Sequence, residues 1–233
     1  MNSGLPEFDG ISDKYSAQLE QGIKLSGESK EFFASERIKW LKKSLLTINS
    51  NFNPEIIIDF GCGTGTSIPY LLETFSPIKI IGLDISKNSL EIAKQQFPEK
   101  TTYHVTQEYS HENQADLIFC NGVFHHIPLE QRLESHKYIY KMLKPGGFFA
   151  MWDNNPWNLG TRIIMKRIPF DRDAVMMWPR LAVKYAEESN LNVVKTDFCF
   201  IFPRLLKPLR VIEKFCSKLP LGAQYLVLSR KSI

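Results

Sequence analysis

A short apolar strand that ends in a glycine-rich turn constrains the fold of this chain more than any other feature. The run Ile56-Ile57-Ile58 is β-branched and too short for a helix, and Gly61, Gly63 and Gly65 follow it closely. An uninterrupted apolar run of this kind indicates a strand that is buried on both faces, as in a parallel sheet covered by helices. The sequence therefore predicts an α/β protein.

Strands and helices alternate five times between Ile56 and Trp152. The further strands are predicted at 78–83, 102–106, 116–120 and 148–152. This order favours a Rossmann-like, doubly wound and mostly parallel sheet with helices on both faces. Apolar segments at 193–202 and 224–229 are expected to complete the sheet as an antiparallel edge hairpin.

The length of 233 residues suits one domain with a sizeable core, and we predict a single domain over 1–233. Its expected parts are an N-terminal helical lid segment, a cofactor-binding core, a substrate-side insertion, and a C-terminal helix with the edge strands. These parts cover 1–50, 54–153, 154–180 and 181–233.

The composition excludes several classes of protein. A net charge of +4, spread over the whole chain, is too weak to indicate nucleic-acid binding. No apolar run is long enough for an integral membrane segment, and the N-terminus lacks the pattern of a secretory signal. The four cysteines have no CxxC spacing, so we expect reduced thiols, no metal site and a cytoplasmic location.

The glycine-rich turn lies where a ligand binds in open α/β sheets, at the carboxyl end of a strand. Its glycines allow a close approach of the backbone, and the next helix offers unpaired N–H groups. A nucleotide-type cofactor is one interpretation, and a tight strand-to-helix turn without a ligand is the other.

Two acids and one threonine decide between cofactors. Asp84 ends the second strand, where a carboxylate can accept hydrogen bonds from both hydroxyls of a ribose. Thr66 stands where the dinucleotide fingerprint needs its third glycine, and Asp59 would repel a pyrophosphate. A ligand with an ammonium and a sulfonium is favoured by Asp59, so the residues favour S-adenosylmethionine over NAD.

Four ordered motifs resemble those of the class I S-adenosylmethionine-dependent methyltransferases of the small-molecule type. They are Asp59-Phe60-Gly61-Cys62-Gly63-Thr64-Gly65, Gly82-Leu83-Asp84-Ile85-Ser86, Asp116-Leu117-Ile118-Phe119-Cys120-Asn121 and Leu143-Lys144-Pro145-Gly146-Gly147. The resemblance covers roughly residues 8 to 153, and Tyr15 is like a residue that precedes the core in many such enzymes.

The resemblance implies a role for each cofactor-side residue. Asp59, Gly61, Cys62 and Gly63 would hold the methionine part of S-adenosylmethionine, with backbone near Asn121 beside its amino group. Asp84 would bind the ribose, and Ile85 would pack on the adenine. Gln107 and Glu108 are both candidates for the adenine amino group, and Tyr15 is a further cofactor-binding candidate.

Two adjacent histidines are the candidates for catalysis. His125 and His126 follow the fourth strand directly, and a histidine suits a general base because its pKa lies near neutral pH. We prefer His126 as the residue that faces the cavity, although His-His-Ile-Pro also looks like a structural feature of the family. His136, on the apolar stripe of the next helix, is predicted to be a core residue.

The acceptor side is expected after the fifth strand, where polar and aromatic groups cluster. The candidate substrate-binding residues are Asp153, Asn154, Trp157 and Arg162. A simple turn closed by a core tryptophan explains the same sequence. The basic residues of this insertion, Arg162, Lys166, Arg167 and Arg172, suit an anionic acceptor but also fit a solvated face.

A basic amphipathic stretch lies near the C-terminus. Its basic residues are Arg204, Lys207, Arg210, Lys214 and Lys218, and they alternate with Leu205, Leu206, Leu209, Ile212 and Phe215. We favour a helix that packs its apolar side on the sheet and exposes its lysines to water. Contact with a membrane surface is the alternative.

The predicted activity is methyl transfer from S-adenosylmethionine to a small-molecule acceptor, with an oxygen as the first choice of acceptor atom. Two other functions stay open. One is a nicotinamide-dependent oxidoreductase, which Thr66 and the lack of a Tyr-x-x-x-Lys pair disfavour. The other is a protein that binds the cofactor without turnover.

Overall fold

A seven-stranded sheet organises the molecule, with the strand order β3-β2-β1-β4-β5-β7-β6. The computed structural model describes residues 22–23, 26–76, 78–168, 171 and 174–233. The strands are β1 Ile56–Phe60, β2 Lys79–Asp84, β3 Thr101–Val105, β4 Ala115–Asn121, β5 Leu143–Asn154, β6 Leu191–Cys199 and β7 Gln224–Lys231. β1 to β5 are parallel, and β7 pairs antiparallel with both β5 and β6. The predicted doubly wound sheet and its antiparallel edge pair are confirmed.

Helices and short 3-10 turns connect the strands. The helices are α1 Lys30–Ile48, α2 Ile68–Phe75, α3 Lys87–Gln96, α4 Arg132–Met142, α5 Leu159–Arg167, α6 Pro179–Glu188 and α7 Glu213–Cys216. The 3-10 turns are Thr106–Glu108, Phe124–His126, Leu129–Gln131 and Arg204–Ile212. Side chains of Ser29, Ser86 and Asn158 accept hydrogen bonds from the first turns of α1, α3 and α5, which explains where those helices begin.

The core lies in two layers, one on each face of the sheet. Successive strand residues point to opposite faces, so Ile57 packs with α1 and α2 while Ile58 packs in the layer that contains α4 and α6. Burial on both faces explains why β1 carries three consecutive isoleucines. The same arrangement directs the carboxyl ends of β1, β2 and β4 to one edge of the sheet.

The buried face of α4 differs from the apolar stripe that its spacing predicts. Arg132, His136, Ile139 and Met142 are buried, whereas Leu129, before the helix, is half exposed. His136 is nonetheless a core residue, as predicted, and its ring stacks at an angle against Phe124.

The C-terminal basic stretch is oriented opposite to the orientation favoured from its sequence. Leu205 is 90% exposed and Phe215 is 76% exposed, whereas Glu213 is buried. The segment forms a 3-10 turn followed by α7, and polar contacts of Arg210 and Glu213 occupy its inner side, so its apolar residues face outward. Within the described ranges, no helix is long and apolar enough to cross a membrane.

Candidate active site

A cavity of about 900 Å³ opens at the carboxyl ends of the central strands. Its floor is the loop after β1, and residues of α1 and α5 form walls on either side. The volume suits a cofactor together with a small acceptor. The position agrees with the rule that ligands bind at the carboxyl edge of an open α/β sheet.

The glycine loop needs glycine for two different reasons. Gly61, Gly63 and Gly65 all have positive φ, a conformation that other residues rarely adopt. A Cβ at Gly61 would lie 2.2 Å from the Val123 side chain, so that position is also closed by packing. At Gly63, which borders the cavity, a Cβ would have no atom within 4 Å among the described residues other than its chain neighbours. The loop therefore presents bare backbone to a ligand.

Asp84 organises this loop as well as lining the cavity. Its Oδ2 accepts a hydrogen bond from the Gly63 N–H at 2.8 Å, and its Oδ1 accepts one from the Ser86 N–H at 2.9 Å. Because Asp84 also lines the cavity, its carboxylate can accept hydrogen bonds from the hydroxyls of a ribose bound there. The geometry agrees with the predicted ribose role.

Asp59 is a buried acid with one oxygen that lacks a partner. Its side chain lies in the cavity wall, and Oδ2 has no hydrogen-bond partner among the described residues. Burial, with a smaller contribution from the charge of Asp84, raises the pKa of Asp59 to about 7. A buried carboxylate that lacks a partner fits a cationic ligand, and the glycine cradle beside it leaves room for one.

Three of the remaining cofactor-side candidates line the same cavity. Ile85 and Gln107 line the cavity, whereas Glu108 pairs with Lys87 on the surface, so Gln107 is the better candidate for the adenine side. Asn121 also lines the cavity, and its Oδ1 is buried with no partner in the described part of the chain. Tyr15 lies outside the described residues.

Cys62 lines the cavity but is not suited to be a nucleophile. Its side chain is buried, and burial raises the pKa of its thiol well above the usual value. The thiol therefore stays protonated and acts as a small apolar group in the loop.

His125 is held between two acids at the acceptor end of the cavity. Its Nδ1 lies 2.6 Å from Asp153 Oδ1, and its Nε2 lies 3.8 Å from Asp171 Oδ1. Burial alone would lower the pKa of His125, but the charges and hydrogen bonds of the two carboxylates raise it far above its usual value. His125 is therefore an imidazolium at neutral pH.

His126 stands beside His125 but has the opposite electrostatic balance. Its Nε2 lies 3.3 Å from Asp171 Oδ1, and the two histidine rings are 4.2 Å apart. Burial lowers the pKa of His126, and the positive charge of His125 adds to the effect. His126 is therefore neutral at neutral pH, and its Nε2 faces the Asp171 carboxylate.

These three side chains also have the spacing of potential metal ligands. One ligand atom each from His125, His126 and Asp171 lies within 4.8 Å of the others. We interpret the cluster as a hydrogen-bonded network. The Nε2 atoms of His125 and His126 both face the Asp171 carboxylate, and a protonated Nε2 has no lone pair to offer a cation.

The acceptor-side candidates require correction. Asn154 lines the cavity, but Asp153 is fully buried behind His125 and acts through that ring. Trp157 packs against Trp178 beside a separate shallow pocket, because the turn after β5 directs it away. Arg162 lies on the exposed side of α5. Of the four candidates, only Asn154 therefore lines the cavity.

Further residues line the cavity, and sequence reasoning missed them. Arg37 and Phe33 reach the cavity from α1, Gln224 from β7, and Asp171 from the insertion. Arg37 Nε donates to Gln224 Oε1 at 2.7 Å, which joins α1 to the sheet edge. No local motif marks these positions, because residues far apart in the chain meet only in the folded protein.

Comparisons with known proteins agree with this geometry. Residues 58–149 match the family model described as a methyltransferase domain. A trans-aconitate 2-methyltransferase of Escherichia coli O1:K1 is 27% identical over 142 residues, which are 60% of this chain and 55% of the relative. A malonyl-[acyl-carrier protein] O-methyltransferase of Ilyobacter polytropus is 36% identical over 98 residues, which are 40% of this chain and 36% of the relative. The chain thus spans about half the length of the first of these relatives.

A solved structure confirms the fold. A SAM-dependent methyltransferase from Archaeoglobus fulgidus aligns with a TM-score of 0.59 at 19% identity and covers 83% of this chain and 94% of its own. At this identity the likeness concerns the fold alone.

Proposed function

We propose that this chain, in which residues 58–149 match the family model of a methyltransferase domain, is a class I, S-adenosylmethionine-dependent enzyme that transfers a methyl group to an oxygen of a small-molecule acceptor. S-adenosylmethionine, when bound, supplies the electrophilic methyl group. The protein's own work is to hold both reactants in line and to keep water out.

One observation carries the proposal. A single cavity joins Asp59 and the glycine loop, which suit the cationic cofactor, to His126 and Asp171, which suit a proton transfer. On the cofactor side, the Gly63 backbone and the carboxylate of Asp84 would hold the methionine and ribose parts. Ile85 and Gln107 would contact the adenine.

His126 is the proposed general base for a hydroxyl acceptor. A neutral imidazole can take the hydroxyl proton as the oxygen attacks, and Asp171 then stabilises the imidazolium that forms. The positive charge of His125 is balanced by Asp153 and Asp171. Asp153 and Asp171 are thus proposed as positioning residues, and His126 as the catalytic one.

A carboxylate acceptor is the second candidate. The two relatives act, by their names, on trans-aconitate and on a malonyl thioester, and both of these are carboxylic acids. Arg37, which is largely buried in the cavity wall, could bind such an acceptor. A carboxylate needs no base at neutral pH, so the pH dependence of turnover distinguishes the two candidates.

Two experiments test the proposal. In calorimetry, S-adenosylhomocysteine is expected to bind in the micromolar range, and NADH is expected not to bind. Incubation of the protein and S-adenosylmethionine with a metabolite extract is expected to add a methyl group to one class of small molecule, detected by mass spectrometry. Binding of NADH alone would support the oxidoreductase, and cofactor binding without a methylated product would support a binding protein.

A further inference from the structure

The segment from Arg204 to Leu221, here called the C-terminal surface, exposes an unusual number of large apolar side chains. Leu205 is 90% exposed, Val211 74% and Phe215 76%. The others that are at least one-third exposed are Leu206, Leu209, Ile212, Leu219 and Leu221. Single exposed apolar residues are normal on proteins, but eight within eighteen consecutive residues indicate an interaction surface.

The outward orientation of these residues is fixed by polar contacts on the inner side. Arg210 pairs with Glu28 at 2.9 Å, donates to the Phe202 carbonyl and lies over the ring of Phe32. Glu213 is buried and accepts hydrogen bonds from the backbone N–H groups of Phe200 and Ile201. The polar side chains anchor the segment, so the leucines are left facing water.

The far end of the surface is also anchored. Asn155 Nδ2 donates to the carbonyls of Pro220 and Gly222, at 3.0 and 2.7 Å. Asn158 Nδ2 donates to the Leu221 carbonyl at 2.8 Å. The apolar side chains are therefore presented on a fixed backbone.

The charge of the surface is one-sided. Arg204, Lys207 and Lys214 are exposed, and Lys218 is exposed as well but pairs with Asp197 at 3.0 Å. Glu213, the only acid of the segment, is buried. Two copies of this surface would bring like charges together, which disfavours self-association. Leucines and a phenylalanine beside exposed lysines instead match the boundary between the headgroups and the acyl chains of an anionic bilayer.

We propose that the C-terminal surface binds the surface of an anionic lipid bilayer. Leu205, Val211 and Phe215 enter the headgroup region, and the lysines contact lipid phosphates. The proposal concerns a peripheral contact and does not depend on the proposed methyl transfer.

The surface adjoins the cavity at both of its ends. Arg204 donates to the Gly27 carbonyl, next to Ser26 in the cavity wall. Ala223, which follows the other end, also lines the cavity and accepts a hydrogen bond from Thr161. Docking on a bilayer would therefore bring the cavity close to the lipid.

Co-sedimentation with vesicles tests the proposal on the full chain. We expect the protein to pellet with vesicles of phosphatidylcholine and phosphatidylglycerol, to pellet less as salt is raised, and to stay in solution with phosphatidylcholine alone. The double variant Leu205→Glu, Val211→Glu should lower the partition coefficient by roughly tenfold or more, since two apolar side chains are replaced by anions. Both positions are highly exposed, so the fold should be retained, which circular dichroism checks.

Leu46→Glu is the matched control, because Leu46 is an exposed leucine on α1 outside this surface. It should bind vesicles like the unmodified chain. Failure to pellet with anionic vesicles overturns the proposal, as does binding that the double variant retains. A dimer in sedimentation velocity that the double variant abolishes, without vesicle binding, would assign the surface to a second copy instead.

Discussion

The carboxylate of Asp171 lies 3.3 Å from the Nε2 atom of His126, at the acceptor end of the cavity. The same carboxylate oxygen is 3.8 Å from His125, which Asp153 holds from the other side. Two histidines that are neighbours in the sequence therefore differ in charge. His125 is a fixed imidazolium, and His126 is the neutral ring that can accept a proton.

Replacement of His126 by Gln should lower kcat by about 10²- to 10⁴-fold, the usual contribution of a general base. The KM for S-adenosylmethionine should change little, because the ring lies at the acceptor end. The acid limb of the kcat profile should be absent in the variant, because burial lowers the pKa of His126 and the unmodified enzyme loses activity only as His126 becomes protonated. Steady-state rates between pH 5 and pH 9 measure all three.

Two controls accompany this variant. His104→Gln changes a histidine of β3 that does not line the cavity, and it should keep normal turnover. Addition of EDTA should leave the rate unchanged if the cluster is a hydrogen-bonded network. Full activity of the His126→Gln enzyme would show that His126 is not a general base, and it would favour a carboxylate acceptor.

Asp84→Asn should weaken binding of S-adenosylhomocysteine by about 1.5–3 kcal/mol, the range for a hydrogen bond to a charged group. The change keeps the size of the side chain. It removes the negative charge that accepts hydrogen bonds from the Gly63 N–H and, in the proposed complex, from the ribose hydroxyls. Calorimetry measures the dissociation constant. Glu91→Gln, an acid-to-amide change on the exposed side of α3, is the control and should bind normally. An unchanged dissociation constant for Asp84→Asn would place the ribose elsewhere.

The affinity for S-adenosylmethionine should rise with pH through about 7, where Asp59 ionises. Above this pH the side chain is an anion that attracts the sulfonium and the ammonium, and below it the side chain is neutral. In Asp59→Asn the affinity should be lower at pH 8 and nearly constant between pH 6 and pH 8. Equal pH dependence in both proteins would show that Asp59 does not contact the cationic part of the ligand.

The sheet could be predicted because its signals are local. The central strands are short apolar runs, and a glycine-rich turn follows the first of them, so Ile56–Ile58 and Gly61 already fix the edge where ligands bind. The cofactor side follows directly, since Asp59 and Asp84 end adjacent strands. Nothing in those predictions depends on distant parts of the chain.

The acceptor side could not be predicted in the same way. Asp171 and Arg37 come from the insertion and from α1, and only tertiary packing brings them to His126 and Gln224. The position of Trp157 after β5 predicts that its ring lines the cavity, but a turn of one or two residues decides the direction of such a ring. The predicted orientation of the amphipathic C-terminal stretch was wrong for a related reason. Arg210 contacts Glu28 and Phe32 on the inner side, and those contacts are not visible in the local sequence.

His136 provides a test of stability that is independent of function. Its ring is fully buried, its Nδ1–H donates to the Arg132 carbonyl at 2.8 Å, and burial lowers its pKa to about 4. The unfolded chain binds a proton near pH 6.5, whereas the folded chain binds it only near pH 4, so His136 makes the folded state less stable as pH falls through this window.

His136→Phe should remove that dependence. The ring would pack against Phe124 and Phe149 as the imidazole does, at the cost of about 1 kcal/mol at pH 8 for the lost hydrogen bond. Between pH 6.5 and pH 4 the unmodified protein should lose about 3 kcal/mol more in its free energy of unfolding than the variant loses. Urea unfolding at both pH values measures the difference, and parallel losses in the two proteins would mean that His136 is already protonated in the folded state.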